Sequence, residues 1–205
     1  MFKTIKDSSM VDFKEKKSQF ITYAFHVTSQ IEASEHLKQV KEKHWDATHH
    51  VYAYILKNNQ IQKYSDDGEP HGTAGIHILN VLIKSQIYDI LVVVVRYFGG
   101  ILLGTGGLVR AYTKSCKLAI ENAKIINVHL CQKILITFNY NLYSSIQKLL
   151  SNYHHKIVNQ IFNNSISIEV VIHLASFDNL KSKLLELACG EISIQKLEQV
   201  EMSLS

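Results

Sequence analysis

Between Lys133 and Ile194 the spacing of apolar residues switches repeatedly between period two and period 3.6, and the order of those switches leaves few folds open. Lys133 to Tyr140 alternates, with Ile134, Ile136, Phe138 and Tyr140 on one face, as a half-buried strand does. Leu142, Tyr143, Ile146, Leu149, Leu150 and Tyr153 then recur at helical spacing. Ile157 to Phe162 and Ile166 to Ile172 are strand patterns joined through Asn163 and Asn164, residue types that tolerate positive φ in a two-residue turn. Phe177, Leu180, Leu184 and Leu187 line a second helix, Gly190 is placed to cap its carboxyl end, and Ile192 and Ile194 open a last strand. The order is βαββαβ, that of a ferredoxin-like split βαβ unit.

Upstream, the patterns belong to a separate mixed α/β region. Met10 to Lys14 and Ser18 to His26 read as a hairpin, and Ile31 to Lys43 as an amphipathic helix. Val51 to Leu56 and Ile61 to Tyr64 flank a turn at Asn58 and Asn59. A buried helix is predicted over Gly72 to Ser85, with Ile76, Leu79, Leu82 and Ile83 inward, and another after Gly107, with Leu108, Tyr112, Cys116, Ala119 and Ala123 inward. The chain is therefore read as α+β with two domains, residues 1–128 and 129–205. Charge follows that division: Met1 to Val128 holds 16 Lys+Arg against 12 Asp+Glu, and the remainder 6 against 6. This excess is too small for a histone-like polyanion binder and permits a local phosphate-binding patch. The amino terminus has no signal-peptide core and no segment has the apolar length of a membrane span, so a cytoplasmic protein is expected. Cys116, Cys131 and Cys189 are odd in number and far apart, suggesting neither a disulfide framework nor a metal knuckle.

The strand-like run ILVVVVRYF, Ile90 to Phe98, leads into GGILLGTGGLVRAY, which holds five of the nine glycines within Gly99 to Gly107. Gly104, Gly106 and Gly107 read GxGG, not the GxGxxG of a dinucleotide fold, and Thr105 stands where a phosphate loop needs lysine. What remains is generic: glycines let backbone N–H groups approach an anion at a helix amino end, or simply let strand and helix cross closely. Arg96 and Arg110, the only two arginines, flank this turn. They read equally as a forked anion site or as structural partners of carboxylates or carbonyls.

The runs KEKKSQF (Lys14 to Phe20), DATHHVYAY (Asp46 to Tyr54), SDDGEPHGTAG (Ser65 to Gly75) and VVVRYFGGILLGTGGLVRAY (Val93 to Tyr112) resemble the YigZ/IMPACT family in order and spacing. His71 departs from the small residue, such as serine, expected in that turn. The resemblance implies a first domain similar to the second domain of a ribosomal small-subunit protein and to the fourth domain of elongation factor G. It implies a ferredoxin-like second domain similar to that factor's fifth. The family's eukaryotic branch acts in translational control by competing for the activator of a general-control kinase.

Two classes of function stay open. In the first, the chain is a non-enzymatic binding module in translation regulation, holding RNA, the ribosome or a translation-associated protein. Its surface would comprise Arg96, Tyr97, Phe98, Gly99, Gly100, Gly104, Gly106, Gly107, Arg110 and Lys114, with His49, Asp66, Asp67, Glu69, His71 and Thr73 alongside. In the second, His49, Asp66, Glu69 and His71 serve a metal-assisted hydrolase, although adjacent Asp66 and Asp67 aim poorly at one ion and DDGEP is also ordinary turn chemistry. No cofactor, no resident metal, no membrane contact and no DNA sequence specificity are expected.

Overall fold

The computed structural model describes residues 1–57 and 60–204, so the expected turn at Asn58 and Asn59 lies outside the described residues. The chain divides into two compact units, Phe2–Ile126 and Asn127–Ser205.

After the short strand β1 (Phe2–Ile5), the first unit is built on an antiparallel sheet of β2 (Ser9–Glu15), β3 (Ser18–His26), β4 (His49–Leu56), β5 (Ile61–Ser65) and β6 (Ile90–Tyr97). Its spatial order is β2-β3-β6-β4-β5. The central strand β6 is apolar without alternation because both of its faces are covered. Ile90, Val92 and Val94 join Phe20, Val51 and Ile55 in a core beneath helices α2 (Gly75–Ser85) and α3 (Thr105–Asn122). Leu91, Val93 and Val95 join Tyr23, Tyr54 and Leu56 in a second core on the side of α1 (Gln30–Lys43). Six consecutive buried apolar residues on one strand thus call for helices on both faces.

Local chemistry sets the ends of these elements. Ser29 caps α1 by accepting the Glu32 N–H at 3.2 Å, while the Glu32 carboxylate reaches back to the Thr28 N–H at 2.8 Å. The β2–β3 hairpin closes through Lys16 and Lys17, both at positive φ, the conformation that matches the twist of the flanking strands. α2 starts at Gly75, three residues later than expected, because residues 66–74 are held in a turn described below. Its inward residues are Ile78, Leu79, Val81 and Leu82, and Ile83, expected inward, is 42% exposed. The inner stripe of α3 lies as predicted, with Leu108, Tyr112, Cys116, Ala119 and Ala123 all buried.

The second unit contains β7 (Ile125–Phe138) from Asn127 onward, α4 (Tyr143–Leu150), β8 (His155–Phe162), β9 (Ile166–His173), α5 (Phe177–Leu187) and β10 (Ile192–Met202). Its strands pair antiparallel in the order β8-β9-β7-β10. Ile134, Ile136, Phe138, Ile168, Val170 and Ile172 pack beneath Ile146, Leu150, Phe177, Leu180 and Leu184. One local expectation changes: the β8–β9 loop has three residues, with the Asn163 N–H bonded to the Ser165 C=O at 3.1 Å, and neither asparagine takes positive φ. At the end of α5, Gly190 caps the helix as expected, its N–H reaching the Leu185 C=O at 3.0 Å, with both Cys189 and Gly190 at positive φ.

Histidines 129, 154 and 173 gather in the second unit, with the rings of His129 and His173 4.4 Å apart and those of His154 and His173 6.1 Å apart. Burial, then the charges of His129 and His154, hold the His173 imidazole below its usual 6.5. The unfolded chain therefore binds the proton more readily, so stability is full above about pH 6.5 and declines as pH falls below it. Urea unfolding of the whole chain between pH 7.5 and 5.5 is expected to show this decline and a shallower one for His173→Gln. Identical pH slopes for the two proteins would contradict it.

Candidate functional site

The best-organised polar cluster of the first unit grows from the register of β6. Arg96 pairs across the sheet with Phe20 on β3 and His49 on β4, which places all three on the face toward α2 and α3. Its guanidinium meets Glu69 from the DDGEP turn: Nη1 donates to Oε1 at 2.7 Å, and Nη2 donates to the Ser18 hydroxyl at 3.3 Å. The Phe20 and Phe98 rings each lie 5.6 Å from the guanidinium carbon. Tyr112, fully buried on α3, donates its hydroxyl proton to the same Glu69 oxygen at 2.6 Å. Burial and then the Glu69 charge push the Tyr112 phenol far above its ordinary range, so it stays a donor. His49 Nδ1 faces the Asp67 carbonyl at 2.8 Å and therefore carries the proton, leaving Nε2 toward Glu69 Oε2 at 3.9 Å.

The turn bearing Glu69 is built by two aspartates. The Asp66 carboxylate accepts N–H bonds from Gly72 (2.8 Å), Ala74 (3.2 Å) and Gly75 (2.7 Å), capping the amino end of α2 from outside the helix. Asp67, at positive φ, accepts the His50 N–H at 2.6 Å and faces Lys41 Nζ at 3.4 Å. Thr73 bonds the Pro70 carbonyl at 2.7 Å, and the His71 side chain is almost wholly exposed. The carboxylates proposed for metal chemistry are thus committed elsewhere. Among the described residues no three His, Cys, Asp or Glu side chains form a metal-ligating group.

Beside this cluster lies a cleft of about 410 Å³ whose lining includes His49, Glu69, Arg96, Phe98, Leu102 and Thr105. Phe98 is 45% exposed and Leu102 82%. Gly104, at positive φ, is the residue that precedes α3, and no side chain caps that helix end, where Gly106 and Gly107 occupy the first turn. Gly99 has a packing role: a Cβ there would lie 2.1 Å from the backbone C and O of Lys17. Gly100, at positive φ, faces open space.

Three site expectations require correction. Arg96 is 5% exposed and spent on Glu69, because strand alternation turns it inward to a carboxylate. It does not share a concavity with Arg110, which lines a separate groove with Lys16 and Lys114. Tyr97, the next residue on the strand, points to the opposite face, where His44 Nδ1 lies 2.9 Å from its hydroxyl and the hydroxyl donates to Asp46 at 3.1 Å. Sequence reasoning missed two members of the cluster. Ser18 accepts from Arg96 and from the Gly99 N–H at 3.2 Å, and Tyr112 was placed as core filling without regard to its hydroxyl. A tyrosine in a predicted inner stripe otherwise made of Leu, Cys and Ala was the available signal for Tyr112.

Residues 16–120 match the model of the Impact N-terminal domain. The IMPACT family member YvyE of Bacillus subtilis is 33% identical over 196 residues, covering 95% of this chain and 90% of that protein. The IMPACT family member YigZ of Escherichia coli is 33% identical over 187 residues, covering 90% of this chain and 92% of that protein. A crystal structure of a hypothetical protein is similar with a TM-score of 0.61 and 32% identity, covering 96% of this chain and 97% of that one.

Proposed function

Because the chain belongs to the IMPACT family, we propose that it is a non-enzymatic binding module of translation regulation in the cytoplasm, engaging RNA of the ribosome through its first unit. The carrying observation is the surface around the glycine turn. Exposed Phe98, Ile101 and Leu102 stand beside the uncapped amino end of an 18-residue helix, with a buried ion cluster fixing the floor beneath them. Exposed apolar and aromatic side chains suit base stacking, and an uncapped helix end suits an anion. The carboxylates that could do acid–base or metal work, Asp66 and Glu69, are hydrogen-bonded into the fold, which favours binding over hydrolysis. The second unit is read as ferredoxin-like, from its βαββαβ order and its strand order β10-β7-β9-β8. No helix of the described residues is long and apolar enough to cross a membrane.

Cosedimentation with ribosomes tests this, together with crosslinking in lysate and identification of both RNA and protein. Wild type is expected in the ribosomal pellet, and a Phe98→Ala/Leu102→Ala double variant in the supernatant with its melting temperature little changed. Equal pelleting of the two would remove this surface from the reading. Crosslinks exclusively to a protein would replace RNA with a translation-associated partner.

A further inference from the structure

We infer that a second surface of the first unit, the groove between the β2–β3 hairpin tip and the outer face of α3, seats the phosphodiester backbone of an RNA strand. Arg110, Lys114 and Lys117 recur at i, i+4 and i+7 on that face and span about 10 Å along the helix. Lys16, at the hairpin tip, lines a concavity of about 200 Å³ with Arg110 and Lys114. The same Arg110 and Lys114 open into an adjoining hollow of about 540 Å³ that continues past Thr113 to Lys117.

These four cations are unspent. Elsewhere Arg96, Lys41 and Lys133 each face a carboxylate within 3.4 Å, whereas among the described residues none of Lys16, Arg110, Lys114 and Lys117 makes an ion pair. Lys114 Nζ lies 5.0 Å over the Phe13 ring, a contact that leaves its charge without a carboxylate. Glu15 and Glu121 also line the groove, and the balance there is positive. Cations set side by side without partners raise the local potential and favour a polyanion. Their regular rise along a rigid helix matches a strand with one charge per nucleotide better than the irregular carboxylates of an acidic protein, and Thr113 adds a hydroxyl donor on the same row.

This inference rests on the RNA-binding reading above but concerns a different surface, so the two can fail separately. The probe is a fluorescein-labelled single-stranded RNA, titrated by anisotropy over a series of KCl concentrations. Removing two phosphate contacts should flatten the log affinity against log salt plot by about 1.4. That flattening is expected for Arg110→Gln/Lys114→Gln and for Lys16→Gln/Lys117→Gln. The second-unit control Lys148→Gln/Lys181→Gln, which loses the same charge, should keep the wild-type slope, as should Arg110→Lys. Polyglutamate is expected to displace the RNA weakly. An equal slope change in the control, or displacement by polyglutamate as effective per charge as by unlabelled RNA, would overturn the groove. RNA binding absent while wild type still pellets with ribosomes would overturn it and leave the ribosomal reading intact. Loss of both would end the two together.

Discussion

Replacing Glu69 with alanine is expected to destabilise the first unit by about 3–5 kcal/mol, the range for removing one partner of a buried ion pair. The Arg96 guanidinium, 5% exposed, would be left without its carboxylate, and the Tyr112 hydroxyl would lose its acceptor in the same step. The cost comes mainly from the orphaned charge, because the pair itself adds little once its desolvation is counted. For a unit of this size the melting temperature should fall by roughly 10–20 °C, read by circular dichroism on the whole chain. A Glu69→Ala/Arg96→Met double variant should recover part of that loss, since it removes the unpaired charge and keeps apolar contact with the Phe20 and Phe98 rings. A Glu69→Ala protein as stable as wild type would mean that this carboxylate is free for chemistry, and would revive the hydrolytic reading.

Gly99→Ala should be nearly as damaging and for a purely steric reason. The new methyl would sit 2.1 Å from the Lys17 carbonyl carbon and oxygen and 2.5 Å from the Ser18 nitrogen, backbone atoms that cannot turn aside. Strand end and hairpin tip would have to separate, breaking the Gly99 N–H bond to Ser18 and loosening the hydroxyl that supports Arg96. Overpacking of this kind costs at least about 1–3 kcal/mol. Gly100→Ala, one residue on, has nothing within 4 Å and meets only the strain of φ +79, about 1–2 kcal/mol. A larger unfolding shift for Gly100→Ala than for Gly99→Ala in urea titrations would refute the close-approach account.

Periodicity was enough to read α3, whose inward stripe is a direct consequence of 3.6 residues per turn, and the βαββαβ order of the second unit. The motif runs were enough for family membership, since their residues and spacing are properties of the chain alone. Strand β6 showed itself as apolar, yet the two helical layers over it depend on which elements return to cover each face. The start of α2 shifted because Asp66, nine residues before Gly75, caps it through a turn that no local window spans. The pairing of Arg96 with Glu69, 27 residues apart, was equally hidden. Which side chains share a face is a matter of parity along a strand. Which partner waits there, and so whether a charge is spent or offered, depends on register and turn geometry, which exist only once the sheet has closed. That is why two arginines alike in sequence context came apart, Arg96 into a buried network and Arg110 onto an open helix face beside Lys16 and Lys114.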